Sequence, residues 1–123
     1  MGYRGFRDLK VYQLSYNLAM EIHAATKNFP PSEKFSLTDQ IRRSSRSIPS
    51  NIAEAWRRRW YKKSFVNNLI ESHGEEAETE VWLDVSRDCG YLDATQHQYF
   101  RHRYDEVGKM LYGMITNAGK FCP

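Results

Sequence analysis

The sequence predicts an all-α protein, an antiparallel up-down-up-down four-helix bundle, on three observations. Apolar residues recur every three or four positions through most of the chain, which is the period of a helix face and not of a strand. Only seven Gly and four Pro punctuate it. Its 123 residues suffice for one domain and not for two, so residues 1–123 read as a single unit. A chain of this size buries roughly two-thirds of its unfolded surface, enough for a core without staples.

Each helix follows from its spacing. Val11, Leu14, Leu18, Ile22, Ala25 and Phe29 form one seam, predicting a helix over 8–28. It stops at Pro30 and Pro31, because the residue before a proline is pushed out of the helical region. The second helix, 37–59, opens on Ser36-x-x-Asp39, the pattern of a capping box. Leu37, Ile41, Ile48, Ile52 and Ala55 make its seam. Pro49 lies inside it and reads as a kink, since the apolar phase runs unbroken across it. The third helix, 64–89, carries Phe65, Val66, Leu69, Ile70, Ala77 and Val81 as its apolar arc and ends at Gly90, a C-cap signal. The fourth, 95–120, carries Phe100, Tyr104, Val107, Leu111, Met114, Ile115 and Ala118. Short connections between such helices give antiparallel neighbours. No internal repeat is evident.

Composition excludes several classes. With 41% hydrophobic and 27% charged residues, the chain is neither disordered nor of low complexity. No apolar run approaches the ~18 residues of a membrane helix, and no apolar stretch follows the charges of the first residues, so a cytoplasmic protein without a signal peptide or membrane partner is expected. The net charge of +3 says little, but its distribution is striped. Eight of the eighteen basic residues lie between Arg42 and Lys63, opposed only by Glu54, and seven of the fifteen acidic ones lie between Glu71 and Asp88, opposed only by Arg87.

No catalytic constellation stands out, and the expectation is no enzyme, cofactor or metal. No Glu has a His three residues later, as a di-iron bundle requires. His23, His73, His97 and His102 lie on three different predicted helices without metal-ligand spacing. Nucleotide-binding loops and the strained serine turn of hydrolases are missing too. Cys89 and Cys122 are too few for a disulfide framework. At ~1.5 Å per residue they fall about 40 Å apart, at opposite ends of a helical hairpin, and cannot pair within one chain.

Two features remain. Gln40, Arg43, Ser47, Asn51, Glu54 and Arg58 form a polar seam beside the apolar one on helix two, and helix three carries Glu71, Glu75, Glu78, Trp82 and Cys89 on one line. These are either two solvated faces or surfaces that meet, within a subunit or between copies. The second feature is the run from Trp56 to Lys63, where Arg57, Arg58, Arg59, Lys62 and Lys63 interleave with Trp56, Trp60 and Tyr61. Cations neutralise phosphates and flat rings stack on unpaired bases, so this segment is a candidate nucleic-acid surface, with Arg42 and Arg46 extending it on the same side of the helix. Alternatively, Trp56 and Trp60 cover the end of the core while the cations stay wet.

The stretch from Phe35 to Glu54, Phe-x-Leu-Thr-x-Gln-Ile-Arg-Arg-Ser-Ser-x-Ser-Ile-Pro-Ser-Asn-Ile-Ala-Glu, resembles the signature of a bacterial four-helix-bundle family. That family is named for proteins encoded within intervening sequences of 23S ribosomal RNA genes. Phe6-Arg7-Asp8-Leu9, Phe29-Pro30, Gly74, Glu78 and Gly90-Tyr91-Leu92 agree with it. The resemblance implies a bundle assembling as a ring, typically a homopentamer, with a basic surface and a role in binding RNA or another nucleic acid. A related branch, the accessory proteins of diversity-generating retroelements, partners a reverse transcriptase. Where the family has Gly after Asn-Ile-Ala-Glu, this chain has Ala55 followed by Trp56, Trp60 and Tyr61, which suggests a longer second helix. Gln40, Arg43, Ser47, Asn51 and Glu54 are expected to be structural, bonding inside the bundle or across subunits. Arg42, Arg46, Arg57, Arg58, Arg59, Lys62 and Lys63, with Trp56 and Trp60, are the nucleic-acid candidates.

Overall fold

A computed structural model describes residues 2–123. Four α-helices carry nearly all the regular structure: α1 (Lys10–Thr26), α2 (Leu37–Arg57), α3 (Lys62–Asp88) and α4 (Ala94–Thr116), with three short 3₁₀ turns at Phe6–Asp8, Pro31–Glu33 and Ala118–Lys120. Among the described residues there is no strand. Consecutive helices pack on one another, most closely α2 on α3, and α1 closes the bundle thinly against α4. The fold is the four-helix bundle that the apolar spacing predicts.

The core is one cluster built from all four helices. Leu18 and Ile22 of α1, Ile41, Ile48 and Ile52 of α2, Phe65 and Leu69 of α3, and Tyr104, Val107 and Leu111 of α4 are fully buried. Pro49 sits inside α2 and is buried, and the helix runs on past it to Arg57. Helix two therefore ends two residues after Ala55, short of the predicted Arg59, where the backbone of Arg58 leaves the helical region.

The helix ends depart from sequence expectation in one informative place. Ser36 does not cap α2 with its side chain. Its hydroxyl instead donates to the Glu33 carboxylate, which also accepts the Leu37 amide at 3.3 Å. A carboxylate three residues upstream thus does the work assigned to the Ser36/Asp39 box. The full capping box stands at α4, where Asp93 accepts the Gln96 amide at 2.8 Å and the Gln96 side chain accepts the Asp93 amide at 3.1 Å. Helix α3 ends in a Schellman turn: Tyr91 N–H reaches Ser86 C=O and Gly90 N–H reaches Arg87 C=O. Gly90 takes φ +82°, the left-handed geometry a side chain resists.

Helix α3 corrects the sequence reading most. Phe65 and Leu69 are buried as predicted, but Ile70, Ala77 and Val81 lie on the outside. The inward line is Asn68, Ser72, Glu76, Thr79, Leu83 and Ser86. Small hydroxyls can stand there because each finds a partner: Ser72 donates to the Ile48 carbonyl at 2.9 Å, and Thr79 meets the Ser44 hydroxyl at 2.9 Å. Small side chains also let α2 and α3 approach closely, and these two helices share the most extensive contact in the bundle.

Candidate nucleic-acid interface

The residues proposed to bind nucleic acid divide into three groups. Arg42 is a structural clamp: its Nε donates to Thr26 Oγ1 at 2.8 Å and its guanidinium reaches the His23 carbonyl at 3.3 Å, tying α2 to the last turn of α1. Trp56 is buried, with 5% of its surface exposed, and belongs to the core. The guanidinium of Arg59 lies 4.0 Å over its ring and donates to the Trp56 carbonyl at 2.9 Å. A base cannot stack on Trp56, because its faces are already covered.

The second group is wet and uncommitted. Trp60 and Tyr61 are 71% and 74% exposed in the turn between α2 and α3. Arg57, Lys62 and Lys63 are exposed beside them, and among the described residues neither these three nor Arg59 pairs with a carboxylate. Arg58 is partly engaged, with Glu54 at 3.4 Å and Asn68 Oδ1 at 3.3 Å. Exposed rings interleaved with free cations are what phosphate contact and base stacking need.

Arg46 forms the third group. It lies on the same side of α2 as Arg57 but eleven residues earlier, about 16 Å along the axis, so it does not extend the turn directly. Its guanidinium sits 3.1 Å from His23 Nδ1. Burial, and then the charges of Arg42, Lys27 and Arg46, hold His23 below the ordinary imidazole range, favouring a neutral ring that accepts this bond.

The polar seam of α2 meets α3 within the chain. Arg43 forms ion pairs with Glu75, at 3.1 Å, and with Glu78. Asn51 Oδ1 accepts from Asn68 at 3.3 Å, and the Asn51 amide donates to the Ser47 carbonyl at 2.9 Å. Ser47 donates back to the Arg43 carbonyl. Glu54 is exposed and bonds Arg58, its one side-chain partner among the described residues; Gln40 is half-buried at the start of the row.

Sequence reasoning missed an aromatic row on α1. Tyr12 stacks on Tyr16 with centroids 6.0 Å apart, and Phe6 meets Tyr12 edge-on at 5.0 Å. Arg7 and Arg57 lie 4.5 and 5.6 Å from the Phe6 centroid. The spacing Tyr12, Tyr16, Met20 was legible as a second helical line beside the apolar seam. Phe35, with 87% of its surface exposed, was also passed over. Cys89 and Cys122 are free thiols. No helix is long and apolar enough to cross a membrane, and no group of three His, Cys, Asp or Glu is placed to hold a metal, among the described residues.

Comparison with known proteins places this architecture. A crystal structure of a protein with unknown function from the S23 ribosomal protein family of Bacteroides thetaiotaomicron VPI-5482 superposes with a TM-score of 0.80 at 30% identity, covering 87% of this chain and 96% of that one. No curated protein matches the chain. Neither the name of that neighbour nor the description of the matching family specifies an enzymatic activity. The family match spans residues 7–113, taking in all of α1, α2 and α3 and most of α4. The chain belongs to the family of 23S rRNA-intervening sequence proteins.

Proposed function

We propose that this protein is a non-enzymatic, cytoplasmic, nucleic-acid-binding bundle that assembles with copies of itself and holds RNA mainly through its phosphates. The observation that carries the reading is the α2–α3 turn, where among the described residues Arg57, Arg59, Lys62 and Lys63 have no carboxylate partner and flank the exposed rings of Trp60 and Tyr61. Membership of a family named for 23S rRNA genes supports RNA over other polyanions. Assembly as a homopentameric ring, which the family resemblance implies, would multiply the turn around one axis and add phosphate contacts without new chemistry. The exposed ridge of Ile70, Ala77 and Val81 on α3 supports a second copy as its cover.

The test is binding of a short structured RNA, followed by light scattering and by anisotropy between ~50 and ~300 mM salt. An oligomer that gains RNA mass at low salt and sheds it at high salt is expected. Replacing Arg57, Arg58 and Arg59 together by Ala should lower the slope of log affinity against log salt by about 2. An unchanged slope overturns the assignment of the turn.

A second reading is an accessory ring that docks a partner enzyme such as a reverse transcriptase. It is favoured by the same α3 ridge, which is bordered by Glu71, Glu80 and Asp84 and would suit a basic protein surface. It predicts an oligomer that ignores RNA at both salt concentrations, and capture of the enzyme that fails when Glu71 and Glu80, which border the ridge, are neutralised; Glu75 and Glu78 are held by Arg43 within the fold.

A further inference from the structure

Arg46 and Arg57 of α2, neither of which pairs with a carboxylate among the described residues, are continuous with exposed aromatic side chains that the turn does not explain. Near the start of α2, a hollow of about 630 Å³ is lined by Lys34, Phe35 and the row Arg42, Arg43 and Arg46, with hydroxyls of Thr38, Ser47 and Ser50. Its one carboxylate is Asp39. Phe35 stands at this hollow with its ring almost wholly in solvent, and Lys34 Nζ lies 5.3 Å from its centroid. A phenylalanine this exposed contributes nothing to the core. A second hollow, of about 370 Å³, runs along the α1–α2 seam and shares Arg46 and Ser50 with the first. Tyr12, Tyr16 and Phe6 line it, and no carboxylate does. Beyond Phe6 lies Arg57, where the basic turn begins.

We infer that this surface is a track for a single strand of RNA, running from the basic turn along the α1–α2 seam to Phe35. The inference rests on the nucleic-acid reading above and adds to it the form of the substrate. Cations come at intervals, Arg57, Arg46 and then Lys34, and rings lie between and beyond them. The span from Thr38 to Arg57 is about 28 Å at ~1.5 Å per residue, room for several nucleotides. Stacking on Tyr16 and Phe35 requires bases that are not already stacked within a duplex. The scarcity of carboxylates excludes a basic peptide as the occupant. Arg57, Arg46 and Lys34, spaced among stacking rings, match a flexible polyphosphate strand carrying flat bases.

Fluorescein-labelled oligouridines of four and twelve nucleotides, with a blunt twelve-base-pair RNA duplex as control, test the track. The twelve-mer should bind much more tightly than the four-mer. Phe35→Ala and Tyr16→Ala should each weaken the twelve-mer at least about fivefold, the lower end of what one stacked base contributes. Both leave the salt slope unchanged because neither removes a charge, and both leave duplex affinity unchanged. Phe35 is exposed and Tyr16 half-exposed, so circular dichroism and melting should match the parent protein. Full twelve-mer affinity in both variants overturns the track, as does an equal loss on the duplex. If the parent protein binds neither RNA, the function proposed above falls with it. If Arg57→Ala/Arg58→Ala/Arg59→Ala weakens binding while Phe35→Ala and Tyr16→Ala do not, the turn stands and only the track fails.

Discussion

Glu76 and Gly108 show how one buried group constrains its neighbours. Glu76 lies on the inward line of α3, 4% exposed, with Oε2 unpaired. Burial, then a hydrogen bond and repulsion from Glu80, push its carboxyl up to about 9. It is therefore neutral in the folded protein at neutral pH and ionised in the unfolded chain. Because the folded state then holds the extra proton, stability is fullest below the ordinary carboxylate range and falls as pH rises towards 9. The Glu76 contribution should fall by up to about 4 kcal/mol between pH 5 and 8, at ~1.4 kcal/mol per unit, read as the difference between urea unfolding of the parent protein and of Glu76→Gln. Glu76→Gln, which cannot ionise, should flatten that dependence and be the more stable form at pH 8. Gly108 is coupled to the same carboxyl, since a Cβ built there would meet Glu76 Oε1 at 2.8 Å. Alanine normally stabilises a mid-helix site by ~1 kcal/mol over glycine. Here the Glu76 carboxyl must move aside for the new methyl, so Gly108→Ala should gain less than that, and the full gain should return when combined with Glu76→Ala. Calorimetry of the double-mutant cycle measures it.

At the level of elements, α3 shows what apolar spacing leaves open. Its apolar residues are divided between the buried face and the exposed ridge, and five of the eight buried positions are polar. Ser72 and Thr79 are inside because Ile48 and Ser44 of α2 supply partners, and a satisfied hydroxyl of small volume costs little to bury. No pattern within α3 encodes those partners. The register is testable: Leu69→Ala should cost about 2–5 kcal/mol, whereas Ile70→Ser should change the stability of the unassembled chain by no more than ~0.5 kcal/mol, read from urea midpoints at concentrations where the protein is monomeric. The clamp between α1 and α2 has its own test. Arg42→Ala removes bonds to Thr26 and to the His23 carbonyl and should cost about 1–3 kcal/mol. It should therefore lower the unfolding midpoint, unlike Arg57→Ala, whose side chain is exposed.

Across the whole molecule, charge is segregated. Helix α3 carries seven acidic residues against three basic ones, yet the protein is +3 overall. The positive excess therefore lies on α2, the turn and the chain beside α1, where the aromatic row also lies. Such a molecule presents a polyanion with one attractive side and one repulsive side, which orients any bound strand. The ridge of Ile70, Ala77 and Val81 faces away from the core on the acidic helix. If a second copy covers it, as proposed, Ile70→Glu/Val81→Glu should shift the scattering mass towards the 14.5 kDa monomer without changing the helical circular dichroism. An unchanged mass would place the contact between copies elsewhere.

Four helices, their order and most of their core were written in the sequence, because helical period, proline stops and the Gly90 cap act over a few residues. The capping partner of α2 was less legible: Glu33 and Ser36 are equally plausible until the backbone turn between them is known. The arginines show the same limit more sharply. Arg42 and Arg57 look alike in a basic stripe, but one bonds the end of α1 and the other stands in solvent. Trp56 and Trp60 are four residues apart, and the helix ends between them, leaving one in the core and one in the turn. Sequence alone determined the local geometry and the family. Tertiary structure decided which polar groups are spent inside the fold and which are free to bind, because that depends on partners that lie far away in the chain.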